Sequence, residues 1–103
     1  MQARRDVFQA IADPTRRAII GLLAMQTLTV NAVAENFNIS QPAISKHMRI
    51  LVECGLVIIE KHGRESHCTA SYKVLQEVAQ WATQYQAFWN RKLDNLENLL
   101  NEE

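Results

Sequence analysis

The segment Ser40-Gln41-Pro42-Ala43-Ile44-Ser45-Lys46-His47-Met48-Arg49-Ile50-Leu51 constrains this chain more than any other. Ser40 is a capping residue and Gly55 a stop, so a helix is expected over 41–53. Before it, Phe37-Asn38-Ile39 reads as a three-residue turn in which Asn38 tolerates a left-handed backbone. A further helix, capped by Thr29, is expected from Val30 to Phe37, with Ala34 small enough for the two helices to cross closely. After Gly55, Leu56–Ile59 and Ser66–Ala70 read as strands joined through His62-Gly63-Arg64-Glu65. Helix, tight turn, capped helix and two-stranded hairpin make a winged helix-turn-helix.

The rest of the chain fits that frame. Its 103 residues allow one domain with a single core, and three Gly and two Pro leave most of it free to be helix. A first short helix is expected over 3–11, with Val7, Phe8 and Ile11 on one side. Asp13 caps a second, with Pro14 at its first position and Ile19, Ile20, Leu22 and Leu23 as apolar content, ending near Met25. From Tyr72 onward there is no Gly or Pro. Val74, Val78, Trp81, Tyr85, Phe88, Leu96 and Leu99 recur every three or four residues, broadened by Trp89, Leu93 and Leu100. That predicts one amphipathic helix over 72–101, about 45 Å long. The expected fold is mostly α: a single domain over 1–103, with the helix-turn-helix at 29–54, a two-stranded wing at 56–70 and a long C-terminal dimerisation helix.

Eleven Lys/Arg balance eleven Asp/Glu, but the charges are segregated. Residues 1–73 hold nine bases against six acids, and residues 74–103 hold two against five. A field of this kind steers a polyanion to one face even at zero total charge. No apolar run nears the ~20 residues of a membrane helix. The start, Met1 to Asp6, lacks the apolar stretch of a signal peptide, so the cytoplasm is the expected compartment.

On a wheel of 100° per residue, Ile44, Met48, Leu51 and Val52 cluster within about 100° of arc and are expected to face the core. Pro42, Ser45, Lys46, Arg49 and Glu53 lie opposite, with His47 on the flank. Ile50 falls near the outer face, where packing under the wing is its available cover. Lys46 and Arg49 suit guanine edges or phosphates, Gln41 and Ser45 suit bases or backbone oxygens, and the N–H groups beyond Ser40 favour a phosphate. Lys61, His62 and Arg64 on the hairpin suit the minor groove or phosphates. With Ser40, Pro42, His47 and Arg16, these residues form the expected DNA-binding set.

Two separated motifs carry a family resemblance. Phe8-Gln9-Ala10-Ile11-Ala12-Asp13-Pro14-Thr15-Arg16-Arg17 resembles the N-terminal signature of the ArsR (arsenical-resistance repressor) family of winged-helix transcription regulators. Ser40 to Leu51, followed by Glu53-Cys54-Gly55-Leu56-Val57, resembles its recognition helix and the start of its wing. Trp81, Trp89, Arg91, Leu93, Asp94 and Leu96 are similar to its last helix. The resemblance implies a homodimer, joined through first and last helices, that represses promoters until a signal releases it. The aromatic content of the last helix also exceeds what a small core covers. The expected interface is therefore Phe8, Trp81, Tyr85, Phe88, Trp89, Leu93 and Leu96, and a two-fold dimer implies a palindromic operator. Val52 departs from the family pattern, since many members carry Arg or Lys there.

The family's metal sites are not matched. One needs Cys near positions 29–31, where this chain has Thr29-Val30-Asn31 followed by Ala32. The other needs His on the last helix, and no His follows His67, leaving Asp94 and Glu97 as a weak pair. No metal and no other cofactor is expected. Cys54 and Cys68 read as structural thiols, a Cys54–Cys68 redox switch or a metal-responsive repressor being the alternative. A protein-binding winged-helix module is another. No nucleophile–base pair, paired carboxylates or phosphate loop is visible, so no enzyme is expected.

Overall fold

The computed structural model describes residues 6–101. Helix α1, Val7–Ile11, begins in a reciprocal cap: Asp6 Oδ1 accepts the Gln9 N–H at 2.8 Å, and Gln9 Oε1 accepts the Asp6 N–H at 3.4 Å. Residues 3–5 of the expected first helix lie outside the described residues. Helix α2, Pro14–Met25, starts on Asp13, whose carboxylate accepts the Arg16 N–H at 3.0 Å. Strand β1, Leu28–Thr29, runs directly into α3, Val30–Ala34, where Thr29 Oγ1 accepts the Ala32 N–H at 3.2 Å.

Helix α3 is shorter than the expected span to Phe37. The Asn36 and Phe37 N–H groups bond back to Val33 and Ala34 carbonyls, tightening the chain out of the α-helix. The link to the next helix therefore covers 35–40, and this longer path reverses direction without a left-handed Asn38: positive φ occurs only at Gly55 and Gly63 among the described residues.

Helix α4, Gln41–Glu53, is capped by Ser40. It ends where Gly55, at φ 77°, lets its own N–H reach Val52 O and the Leu56 N–H reach Leu51 O, at 3.0 and 2.9 Å. Those two bonds make a Schellman stop and bring Leu56 into the core. Strands β2, Val57–His62, and β3, Glu65–Ala70, pair antiparallel around Gly63-Arg64. Positive φ at Gly63 alone is the pattern of a type II′ turn. The expected wing had two strands, but the sheet has three in the order β1-β3-β2, with Leu28 opposite Cys68 and Thr29 opposite His67.

Helix α5, Tyr72–Asn101, starts where Ser71 Oγ accepts the Val74 N–H at 3.4 Å. None of its residues is buried, and it gives the molecule extents of 68 × 35 × 21 Å. No described helix is long and apolar enough to cross a membrane. The core gathers Ile19, Ile20 and Leu23 from α2, Val33 from α3, Ile44, Met48, Ile50 and Leu51 from α4, and Leu56, Val57 and Cys68 beside and within the sheet.

The buried arc of α4 differs from the expected one. Ile50 is 5% exposed, whereas Val52 is 39% exposed. The wheel has the right period but the wrong phase, because α4 is covered on two sides. One side meets the sheet and α3. The other meets the junction of α1 and α2, where Ile50 borders a recess with Gln9, Ala10 and Arg16 rather than lying under the wing.

Candidate nucleic-acid interface

With Ile50 turned in and Val52 turned out, the exposed arc of α4 carries Gln41, Pro42, Ser45, Lys46, Arg49, Val52 and Glu53. All of these are solvent-facing, and Ser40 is exposed at the helix start. Ser40 Oγ accepts the Ala43 N–H at 3.3 Å, so its hydroxyl serves the cap first. Gln41 Nε2 donates to Asn31 Oδ1 at 2.8 Å, which ties the start of α4 to α3. Lys46 and Arg49 supply the positive charge of this arc. Between α4 and the wing, Val30, Ser45, Met48, Arg49, Val52, Glu53 and Ile59 line an open apolar recess of about 340 Å³. Val52, like Pro42, is thus an apolar element on an otherwise polar arc.

The wing presents its groups on two faces. The pairs Val57/Ala70, Ile59/Cys68 and Lys61/Ser66 share one face, with buried Val57 and Cys68 marking it as the inner one. Glu60/His67 and His62/Glu65 share the other. His62 Nε2 lies 3.5 Å from Glu60 and His67 Nε2 3.5 Å from Glu65, and the two rings stand 4.5 Å apart. Lys61 and His62, expected as one basic patch, therefore point to opposite sides, and His62 sits among carboxylates. Arg64 is exposed in the turn and borders a polar recess of about 260 Å³ with Thr29, Val30, Asn31, Glu65 and Ser66.

Arg16 and His47 do not sit on this surface as expected. The half-buried Arg16 guanidinium is directed onto carbonyls of α1 and the His47 ring. His47 is itself half-buried, with Nδ1 4.0 Å from Asp13 Oδ2. The Asp13 carboxyl is held below its ordinary range, chiefly by the Arg16 backbone N–H. Burial opposes that shift, while the Arg16 charge and the Thr15 backbone N–H reinforce it. A basic residue type in a DNA-binding motif reads the same whether it faces out or in, so only the packing separates Arg16 from Arg49.

Along α5, Trp81, Tyr85, Phe88, Trp89, Leu93 and Leu96 are all exposed, and so is Phe8 on α1. Phe8 stacks on Trp81 at 4.5 Å and Trp81 on Tyr85 at 4.4 Å, so α1 and the first half of α5 share one aromatic surface. Farther along, Phe88 and Trp89 make an edge contact at 5.8 Å, and Trp89 remains 60% exposed. Cys68 is buried in the sheet, and that burial pushes its thiol up, opposing the thiolate chemistry a redox switch needs. Cys54 closes α4 and contacts the Asp6 carbonyl at 3.6 Å. No group of three or more metal-ligating side chains is assembled among the described residues.

Residues 13–58 match the sequence family described as bacterial regulatory protein, arsR family. The chain is 40% identical over 76 residues to the transcriptional repressor SdpR of Bacillus subtilis, an alignment covering 74% of this chain and 84% of SdpR. It is 33% identical over 100 residues to the HTH-type transcriptional regulator Rv2034 of Mycobacterium tuberculosis, covering 93% and 87% of the two chains. Among solved structures, an ArsR-like transcriptional regulator from Rhodococcus sp. RHA1 superposes with a TM-score of 0.70 at 32% identity, covering 90% of this chain and 88% of that one.

Proposed function

The chain belongs to the ArsR family of bacterial regulatory proteins, and from that premise we propose that it is a homodimeric, cytoplasmic transcriptional repressor binding a palindromic operator. The observation that carries this reading is the exposed arc of α4, a capped helix with Ser45, Lys46 and Arg49 outward beside a wing tipped by Arg64. In this reading Gln41, Ser45 and Arg49 meet base edges, while Ser40, Pro42 and Lys46 lie along the groove wall. Lys61 and Arg64 meet phosphates. His62 is a weaker candidate because Glu60 and Glu65 flank it.

The second half of the proposal rests on α5. A thirty-residue helix with its aromatic and leucine stripe exposed is covered by the same stripe of a second copy, together with Phe8. Two α4 helices related by a two-fold axis then address successive major grooves, about 34 Å apart. The core-sealed Cys68 favours a repressor without a thiol trigger over the redox-responsive alternative. A protein-binding module remains distinguishable by one measurement. Binding to a duplex selected by the protein should fall steeply with salt, and Arg49→Ala and Lys46→Ala should each weaken it about tenfold or more. Full affinity in both variants would remove the assignment of α4.

A further inference from the structure

Arg16 is built into the fold in a way that phosphate contact does not require. Its Nε–H donates to Ala10 O at 2.6 Å and Nη2 to Gln9 O at 3.2 Å, carbonyls in the last turn of α1, the second of which also accepts the Ala12 N–H. Its Nη1 lies 3.4 Å from His47 Nδ1. Arginine only donates, so in this contact Nδ1 is the acceptor. The Arg16 backbone N–H in turn donates to Asp13 Oδ2, which stands 4.0 Å from the same His47 nitrogen. One residue therefore joins the end of α1, the start of α2 and the middle of α4, with three of its five guanidinium donors committed inward.

We infer that Arg16 and His47 are positioning residues that set the pose of α4 on the α1–α2 junction and do not touch DNA. This rests on the DNA-binding reading above. The far end of the linkage is α1, whose Phe8 stacks on Trp81 of α5.

The test is a salt series of dissociation constants for a fluorescent duplex selected from a random-sequence library by the wild-type protein. A phosphate-contacting cation contributes about 0.9 to the slope of log affinity against log salt, and a positioning residue contributes none. Arg16→Ala should weaken binding about tenfold or more and leave the slope at the wild-type value, whereas Lys46→Ala should lower it. Arg16→Lys should stay as weak as Arg16→Ala, because an ammonium cannot fork between two carbonyls and an imidazole. His47→Asn places Oδ1 where Nδ1 accepts and should hold wild-type affinity within about threefold, while His47→Leu should lose as much as Arg16→Ala. A slope lowered by Arg16→Ala as much as by Lys46→Ala overturns the inference, as do equal affinities for the two His47 variants. Should Arg16→Ala lose its helical circular dichroism, the His47 pair decides. Failure of the wild-type protein to select any duplex would remove the DNA-binding reading and this inference with it.

Discussion

Residues 6–71 and helix α5 use the same apolar patterning toward opposite ends. In the first region the stripes of α2, α4 and the sheet close on one another, and Ile19, Ile44, Leu51 and Leu56 are all 0% exposed. In the second, an equally regular stripe leaves the core after a half-buried Val74 and Val78 and is exposed from Trp81 onward, with Leu96 54% exposed. Periodicity shows that a helix has a face to cover. It does not say whether the cover comes from the same chain. That distinction appears only when the volume of the remaining elements is counted against the stripe, and here α2, α3 and α4 are already spent on each other.

Substitutions can break this contrast. Leu51→Ala removes a fully buried side chain and should cost about 2–5 kcal/mol in urea unfolding, while Leu96→Ala should cost less than about 0.5 kcal/mol at concentrations where the protein is monomeric. Comparable losses would mean that α5 belongs to the chain's own core. Phe88→Ala combined with Trp89→Ala should weaken self-association by about 2 kcal/mol or more, read by sedimentation, with helical content retained. An unchanged dimer constant would place the interface elsewhere.

Smaller effects sharpen the compact side of the comparison. Gly55→Ala forces a side chain into the left-handed region and should cost about 1–2 kcal/mol. A Cβ there would meet Val74 at an ordinary 3.7 Å, so the loss would report backbone conformation and not crowding. Asp13→Ala removes the cap of α2 and should cost about 1 kcal/mol near neutrality. The folded-state pKa of Asp13 lies below its unfolded value, so its contribution is complete above the unfolded pKa of about 3.9 and is lost as pH falls through the lower folded value. The penalty of Asp13→Ala should therefore vanish in strong acid. A penalty independent of pH would show that the carboxylate charge plays no part in the cap.

Local signals are legible in the sequence. Asp13, Thr29 and Ser40 cap the helices they were expected to cap, Gly55 stops α4, and α5 spans its expected 72–101. Each of these depends on residues within a few positions of one another. What escaped depends on distant neighbours. Leu28 and Thr29 are too few to show alternation, and only the approach of β3 makes them a strand. Ile50 and Val52 exchanged places because a wheel gives period, whereas phase comes from which elements press on the helix. Arg16 and His47 are 31 positions apart, and no spacing rule joins them.

The strand order β1-β3-β2 leaves β2 on the outside of the sheet, with no fourth strand beside it among the described residues. That edge begins Val57-Ile58-Ile59, a run whose unpaired backbone groups are a template for misassembly with another chain. The next two residues are Glu60 and Lys61, opposite charges that spoil an uninterrupted apolar ribbon, and the turn follows at once. The wing thus carries its own gatekeepers against aggregation. Engineering it for tighter nucleic-acid contact by making Glu60 apolar would trade affinity against a chain that precipitates at high expression.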